Sequence, residues 1–474
     1  MAPGTSTVRT ILGNAGWLVL AEVLGRLLTI GAIAHLSRRL GPGPMGMVEL
    51  GLGIFGFVSL VSLGGVEVLA TRRTARTASG LGRLATTHAA VAWIWTLPAL
   101  VVAAVFLQAF DHPPPTTLIA AGIGAAAILS PLGVRFAFQG RERMDALALA
   151  SLLGQAVWAC SVLLVVRDAG DVALIPALWL AGEVARVSLS LSLFGKRFGR
   201  IQGTSLRAVR AWIVSSAPVS VGRIAHGLVY FIDVLVLGLF APLEVVGLYA
   251  VGLRLPLFLV TVAALGNKAL FPSFARSVGE GAREDGAALM RATIPLMVSV
   301  GLAAAITLAV SGSAFLGVLF GAAYSAAAPW MAILVFRGPV AGLSGLYRMT
   351  LWTSDPGAEA RDAVLATALM IALLFVLTPG FGPAGAASAM LLGELAYLLL
   401  YRLHSGRFLG ALRLPTPWAV LQVLCLGGLG AWAWWVSGQS EVMTMVTALL
   451  AGAVFGFLPL LPQVRALRAA LRRP

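Results

Sequence analysis

The sequence predicts an all-α polytopic membrane protein with about 14 transmembrane helices, arranged as two six-helix lobes in a parallel pseudo-repeat plus two extra C-terminal helices. Three observations predict this fold class. The 474 residues are 59% hydrophobic and 11% charged, with a mean hydropathy of +0.92, so charges are too few to cover the surface of a soluble protein. Apolar stretches of about 20 residues recur along the chain. Lys and Arg collect at every second gap between these stretches, which is the positive-inside pattern.

The basic residues also predict the orientation of the chain. The clearest clusters lie in three gaps, which carry Arg72, Arg73, Arg76 and Arg83, then Lys196, Arg197, Arg200, Arg207 and Arg210, and finally Arg465, Arg468, Arg472 and Arg473. Arg38, Arg39 and Arg167 fall on the opposite face. Because cytoplasmic loops carry the excess of Lys and Arg, both termini are predicted to be cytoplasmic. The net charge of +15 therefore belongs to helix ends and anionic lipid headgroups, and no nucleic-acid partner is expected.

The individual spans follow from the apolar stretches. In chain order they are predicted at residues 11–37, 46–70, 86–110, 117–138, 145–166, 172–194, 211–239, 245–270, 291–312, 326–350, 362–379, 383–404, 417–437 and 443–463. The first stretch is longer than the roughly 15 apolar residues of a signal peptide, so it is predicted to be a retained span. Cys160 and Cys425 lie in separate spans and indicate neither a disulfide framework nor a metal site.

The spans group into four predicted parts. These are an N-terminal lobe with the first six spans (1–195), a cytoplasmic linker (196–210), a C-terminal lobe (211–410), and two additional helices with a basic cytoplasmic tail (411–474). The longest polar segments are expected at 196–210 and 277–291. A shift of 201 positions superposes Gly46 on Gly247, Gly51 on Gly252, Phe57 on Phe258 and Gly65 on Gly266. Six helices per lobe keep the same orientation, which predicts a parallel repeat.

Ionisable side chains at membrane depth form the candidate site. Each costs roughly 3 kcal/mol on insertion scales, so such groups normally face the bundle interior or a wet cavity. The predicted substrate-binding or translocation residues are Glu22, Arg26, Arg223, His226, Tyr230, Asp233, Arg254 and Arg337. Four of them, in the seventh span, advance by three, four and three residues from Arg223 to Asp233, which predicts that they stack on one face of that helix. A cation, an imidazole, a phenol and a carboxylate on one apolar helix favour a cavity lining.

The deep charges also indicate the sign of the substrate. Glu22 and Arg26 are four residues apart, and Glu183 and Arg186 three apart, so each pair is either a structural ion pair or part of the site. Arginines outnumber acids in the set formed by Arg26, Arg186, Arg223, Arg254, Arg337, Glu22, Glu183, Asp233 and Glu394. Because arginine binds phosphate through a planar fork of donors, the surplus favours a phosphate or pyrophosphate group attached to lipid.

Motifs of soluble enzymes are absent from the sequence. It contains no GxxxxGK[ST] loop, no HExxH, no CxxC, and no GxSxG with suitable His and Asp partners. No gap is long enough for a soluble catalytic domain. The chain is therefore predicted not to be an enzyme and to need no cofactor, and any transport would be passive or coupled to an ion gradient.

Short motifs in a fairly specific order carry a resemblance to one family. They are Leu24-Gly25-Arg26, Arg39-Leu40-Gly41-Pro42, Met45-Gly46, Phe138-Gln139-Gly140-Arg141-Glu142-Arg143-Met144, Tyr230-Phe231-Ile232-Asp233, Val246-Gly247-Leu248-Tyr249, Leu319-Phe320-Gly321-Ala322-Ala323-Tyr324 and Gly385-Ala386-Ala387. Along nearly its whole length the chain resembles polysaccharide (oligosaccharide-lipid) flippases of the multidrug/oligosaccharidyl-lipid/polysaccharide exporter superfamily. The resemblance implies alternating access that moves undecaprenyl-pyrophosphate-linked sugars across a bacterial inner membrane, with membrane lipids and glycan polymerases or glycosyltransferases as partners.

Two other activities of the same superfamily stay open. Lipid II flippases resemble this chain but carry an Arg-rich first helix, where this chain has Glu22 and Arg26. Multidrug exporters tend to use a carboxylate-centred site for cations, and the surplus of deep arginines argues against that. A polytopic glycosyltransferase or O-antigen ligase would carry a long outer loop, whereas no outer gap here exceeds a few residues.

Overall fold

The computed structural model describes residues 5–77, 79–109, 113–279 and 283–409, together with a few positions between 444 and 452. The regular secondary structure of these ranges consists of α-helices and short 3-10 helices, without a strand. Nine of the described helices are long and apolar enough to cross a membrane, or up to 10 if one bent pair is a single span. The predicted all-α polytopic fold class is confirmed. The count of 14 stays a prediction, since spans thirteen and fourteen lie mostly outside the described residues.

The chain divides into two compact units, Met1–Leu235 and Val236–Pro474. The helices of the first unit are α1 (Thr5–Leu40), α2 (Pro42–Arg76), α3 (Leu81–Ala109), α4 (Pro114–Ala125), α5 (Arg135–Gly140), α6 (Met144–Val165), α7 (Ile175–Phe198), α8 (Leu206–Leu228) and the start of α9 (Ile232–Phe240). Those of the second unit are α10 (Leu243–Gly252), α11 (Arg254–Gly279), α12 (Arg283–Phe320), α13 (Ala328–Leu334), α14 (Arg337–Ser354) and α15 (Pro356–Leu409). The predicted lobes, linker and C-terminal appendage stay predictions.

In the first unit α2 is the helix against which most others pack, and small residues bring them close. It contacts α3, α4 and α8. At Gly51 a methyl group would lie 2.9 Å from Ile123 of α4. A second close crossing joins α6 and α7, where a methyl group on Gly154 would lie 2.9 Å from the Gly182 carbonyl oxygen. Membrane helices associate through such small-residue contacts because lipid provides no hydrophobic drive between them.

In the second unit α15 folds back on itself and supplies two spans. Gly382 has φ 55° and ψ −136°, a conformation open to glycine, and it interrupts the helix. The halves run antiparallel, as a hydrogen bond between the two ends of α15 shows: Asp362 accepts it from Nδ1 of His404 at 2.7 Å. A methyl group on Gly393 would likewise lie 2.6 Å from Met370. These halves correspond to the predicted spans 362–379 and 383–404.

Three predicted segments differ from the structure in where the helix is continuous. The polar segment 277–291 is helical from Arg283, where α12 begins, and its apolar Leu289 and Met290 pack in a core with Phe274 and Leu346. The predicted span 117–138 falls within one candidate membrane span, Pro114–Gly140, but it is not one continuous α-helix. It changes to a 3-10 helix from Ala126 to Gly133, where Pro131 cannot donate a helical hydrogen bond, and restarts as α5. The span 211–239 is also broken, as described next.

Candidate functional site

The predicted seventh span consists of two helices, α8 and α9, bent by 61°. The break covers residues 229–231, where Tyr230 N donates to Gly227 O at 3.3 Å and Phe231 N to Leu228 O at 3.2 Å. No proline lies in the break, and the local contacts come from α2. Methyl groups on Gly227 and Gly56 would lie 2.4 Å from Leu60 and 3.0 Å from Phe231. The prediction of one continuous helix is therefore wrong. The bend lies where α2 packs against the span, and the sequence of the span itself does not indicate it.

The four predicted residues of this span lie on both sides of the break. Arg223 is exposed, His226 is half-buried, Tyr230 is 42% exposed and Asp233 is completely buried. The expectation that they stack on one continuous face is wrong, because α9 leaves the direction of α8 between Leu228 and Asp233. Arg223 on α8 and Tyr230 in the break are instead exposed, whereas the carboxylate of Asp233 on α9 is buried.

The helix ends at the break suit the residues that occupy them. His226 lies in the last turn of α8, where the helix dipole favours positive charge. Asp233 lies in the first turn of α9, where the dipole favours negative charge, and its Oδ1 accepts a 3.0 Å hydrogen bond from Val234 N. The break thus combines ionisable groups with two helix termini, an arrangement that transporters use to bind charged ligands at membrane depth.

The first helix carries the other predicted residues of this unit. Its middle packs against α6, where a methyl group on Gly25 would lie 2.0 Å from Oε1 of Gln155. Arg26, the next residue, is half-buried. The side chain of Glu22 lies outside the described part of the chain, so its pairing with Arg26 stays a prediction.

Arg254 and Arg337 belong to the second unit, and each begins a helix directly after a break. Arg254 is the first residue of α11 after the turn at Leu253, and it is half-buried. Arg337 is the first residue of α14 and only 1% exposed. It lies close enough to Glu394 to interact electrostatically, and Glu394 also accepts a 3.2 Å hydrogen bond from Ser344. The structure therefore distributes the predicted residues over both units.

A second polar stripe lies on α15, and only its first residue, Glu394, is among the deep charges singled out from the sequence. Glu394, Tyr397, Tyr401 and His404 advance by three, four and three residues, the same spacing that singles out span seven. Tyr397 shares a 2.5 Å hydrogen bond with Thr367 across the hairpin. The same spacing rule could therefore have predicted this stripe from the sequence.

The Glu183–Arg186 pair on α7 forms as its spacing predicts, with Arg186 Nε donating to Glu183 at 3.1 Å.

Comparison with known proteins identifies the family. Residues 11–278, more than half of the chain, match the family of polysaccharide biosynthesis proteins. The chain belongs to this family. This member matches no curated protein significantly. The family relationship confirms the membership predicted from the short motifs.

The solved structures similar to this family member share its fold at low sequence identity. The lipid II flippase MurJ in an inward closed conformation has a TM-score of 0.70 at 11% identity, covering 94% of this chain and 99% of that one. A multidrug resistance MATE family transporter of the MOP superfamily in an inward-facing conformation has a TM-score of 0.64 at 15% identity, covering 81% and 95%. An outward-facing MATE structure has 0.56 at 16% identity, covering 84% and 96%. This member of the polysaccharide biosynthesis family is thus a multi-pass membrane protein with the fold of these flippases and transporters.

Proposed function

We propose that this protein flips a lipid-linked oligosaccharide of the undecaprenyl-pyrophosphate type from the inner to the outer leaflet by alternating access. The observation that carries the proposal is the break in the α8–α9 span, which places Arg223, His226, Tyr230 and Asp233 around two helix ends in an apolar segment. Ionisable groups are costly inside packed apolar helices, but they can bind a polar cargo that crosses the membrane. Membership in the polysaccharide biosynthesis family supports a glycan as the cargo.

Arg223, Tyr230 and Asp233 each have a separate role in this proposal. The exposed guanidinium of Arg223 binds a pyrophosphate oxygen pair through its fork of donors. Tyr230 offers a hydroxyl group to the sugar or the phosphate. The buried Asp233 does not face the anionic cargo and instead stabilises the start of α9. The bend between α8 and α9 is the element whose angle changes between inward-open and outward-open states.

The proposed setting follows from the same reasoning. The protein lies in a bacterial inner membrane with both termini in the cytoplasm, as the positive-inside pattern predicts. Glycosyltransferases supply the cargo, and a glycan polymerase consumes it on the outer side. The membrane lipids are the remaining partners.

A reconstitution assay tests the proposed function. The purified chain is placed in liposomes with a labelled pyrophosphate-linked oligosaccharide lipid, and access of an external sugar-oxidising reagent to each leaflet is followed in time. We expect lipid initially sheltered in the inner leaflet to become accessible at a rate that scales with protein content. Protein that is folded and correctly inserted but leaves the sheltered fraction unchanged contradicts the proposal.

Lipid II is a second candidate cargo, and the fold similarity to the lipid II flippase MurJ over 94% of the chain favours it. The same liposomes can carry labelled lipid II, or a trapped cationic dye that a MATE-type exporter would expel. Transfer of lipid II at the higher rate would replace the oligosaccharide assignment with lipid II. Dye efflux without lipid movement would replace both with cation export.

A further inference from the structure

A cavity of about 750 Å³ lies at the arginine-rich end of the first unit, away from the break. Its wall comes from the end of α2, the first turns of α3 and the first turns of α8. The lining residues are Leu69, Arg72, Arg73, Arg76, Thr77, Arg83, Leu84, Thr87, Ala208, Ala211, Trp212 and Ser215. Among these, arginine is the only ionisable residue type.

Among the described residues, none neutralises the four arginines of this cavity. Across the described ranges no carboxylate lies within salt-bridge distance of Arg72, Arg73, Arg76 or Arg83. Arg197 on α7 provides the contrast, because it pairs with Asp145 at 3.4 Å. Four guanidinium groups that share one concave space repel each other, and an anion in that space removes the repulsion.

One wall of the cavity is apolar and holds an arginine in place. The guanidinium carbon of Arg73 lies 5.4 Å from the ring centroid of Trp212, in cation–π geometry. Trp212 is 8% exposed, and its indole Nε1 is buried without a hydrogen-bond partner among the described residues. Leu69 and Leu84 extend the apolar surface. The cavity therefore combines cations with apolar side chains, which suits an anion that carries a hydrocarbon portion.

The wall is also held in shape by contacts between its helices. Thr87 of α3 shares a 2.6 Å hydrogen bond with Thr204 in the connection between α7 and α8. Ser205 caps α8, accepting a 3.2 Å hydrogen bond from Ala208 N. A preformed wall lowers the entropy that binding costs. Both α3 and α8 begin at this end, so their dipoles add to the attraction for an anion.

We infer that this cavity binds the phosphate group of a membrane lipid, with the arginines on the phosphate oxygens and the Trp212 wall against the apolar part of the lipid. Two lipids share this chemistry: the pyrophosphate-linked cargo and ordinary anionic glycerophospholipids. The binding site stands without the proposed function, and only its assignment as the loading site for cargo rests on that function. The arginine-rich end is the one predicted to face the cytoplasm, where such a cargo would be collected.

Binding to the purified full chain in uncharged detergent tests the site without any flipping. The probes are a polyprenyl pyrophosphate, phosphatidylglycerol and inorganic pyrophosphate. The variants are the triple Arg72→Ala/Arg73→Ala/Arg76→Ala, the same triple to Lys, and Arg197→Ala as the control. The control removes one positive charge near the same end but lies outside the cavity lining, and Asp145 keeps Arg143 at 2.9 Å. Thermal unfolding of each variant verifies that it is folded.

We expect the alanine triple to weaken binding of polyprenyl pyrophosphate by roughly tenfold or more, the lysine triple to weaken it less, and Arg197→Ala to change it little. Wild-type affinity in the alanine triple, or an equal loss in Arg197→Ala, overturns the site. Equal affinity for inorganic pyrophosphate overturns the lipid part of the inference. Phosphatidylglycerol binding as tightly as the prenyl lipid supports a lipid-phosphate site and overturns its role in loading. A variant that loses binding but still flips cargo overturns the cavity's role in loading and leaves the proposed function intact.

Discussion

The hydroxyl oxygen of Ser220 on α8 accepts a 3.0 Å hydrogen bond from the backbone nitrogen of Gly65 on α2. Both residues are buried, and Ser220 also donates to Ser216 O at 3.0 Å. The preceding Gly64 has φ 9° and ψ −116°, which interrupts α2 beside this contact. The Ser220 hydroxyl group therefore accepts a hydrogen bond from the backbone of α2 at its kink. This bond joins α2 to α8, the helix that leads to the candidate site.

Gly65→Ala is expected to destabilise the first unit strongly. The added methyl group would lie 2.5 Å from Ser220 N and 2.7 Å from Ser216 O, and these backbone atoms can move only if α2 and α8 separate. Thermal unfolding in detergent should show a clearly lower Tm and a lower yield of folded protein. Ser220→Ala should cost less, about 1 kcal/mol, because it removes one hydrogen bond without a clash. Gly195→Ala on α7 is the control, because nothing lies within 4 Å of the added group. A Gly65→Ala protein as stable as this control would contradict the packing described.

Arg223→Ala is expected to reduce flipping of the pyrophosphate-linked lipid by roughly tenfold or more while leaving membrane abundance near normal, because the side chain is exposed. Arg223→Lys should retain part of the rate, since it keeps the charge and loses the fork. The reconstitution assay measures both. Arg207→Ala, which removes an exposed arginine from the first turn of α8, is the control. Normal flipping by a stable Arg223→Ala protein would exclude Arg223 from the site.

Gly382→Ala is expected to destabilise the α15 hairpin by about 1–3 kcal/mol, because φ of +55° with ψ of −136° strains any residue with a Cβ atom. Gly380→Ala, two residues earlier, is the matched control, since it has no neighbour within 4 Å and no positive φ. Thermal unfolding compares the two variants. Equal stability would mean that the hairpin turns at another residue.

The Glu183–Arg186 pair on α7 is expected to show strong coupling. Both side chains are largely buried, and a methyl group on Gly133 would lie 2.9 Å from Arg186 Nη1. Removing one partner leaves a desolvated charge, whereas removing both does not. Glu183→Leu and Arg186→Leu should each lower Tm more than the double variant does. Strictly additive effects in this double-mutant cycle would show that the pair contributes nothing as a unit.

Cysteine labelling tests the predicted orientation. Ala169 and Gln202 are exposed near opposite ends of α7, whose 24 residues span about 36 Å. In a background with Cys160→Ala and Cys425→Ala, Gln202→Cys should react with a membrane-impermeant reagent only in inverted vesicles. Ala169→Cys should react only in intact cells. The reverse pattern would invert the topology and place the arginine cavity on the outer side.

Properties that depend on neighbouring residues were predictable. The paired spans at 362–379 and 383–404 follow from two apolar stretches around a Pro/Gly-rich turn, and α15 forms them as a hairpin at Gly382. The Glu183–Arg186 contact follows from helical spacing alone. Where a distant segment intervenes, prediction fails. The polar start of α12 is helical from Arg283, and its Leu289 packs in one core with Leu346 of α14, a contact that the local sequence does not show.

The sequence by itself determined that this protein is a helical membrane protein, which alternate gaps are basic, and to which family it belongs, because hydropathy and charge are summed over local stretches. Tertiary structure alone decided where span seven bends and that the arginines of α2 line a cavity beside Trp212. Those features arise where α2 meets α8, through contacts such as Gly65–Ser220 and Arg73–Trp212. The partners are more than a hundred residues apart, so neither chain segment signals the other until packing brings them together.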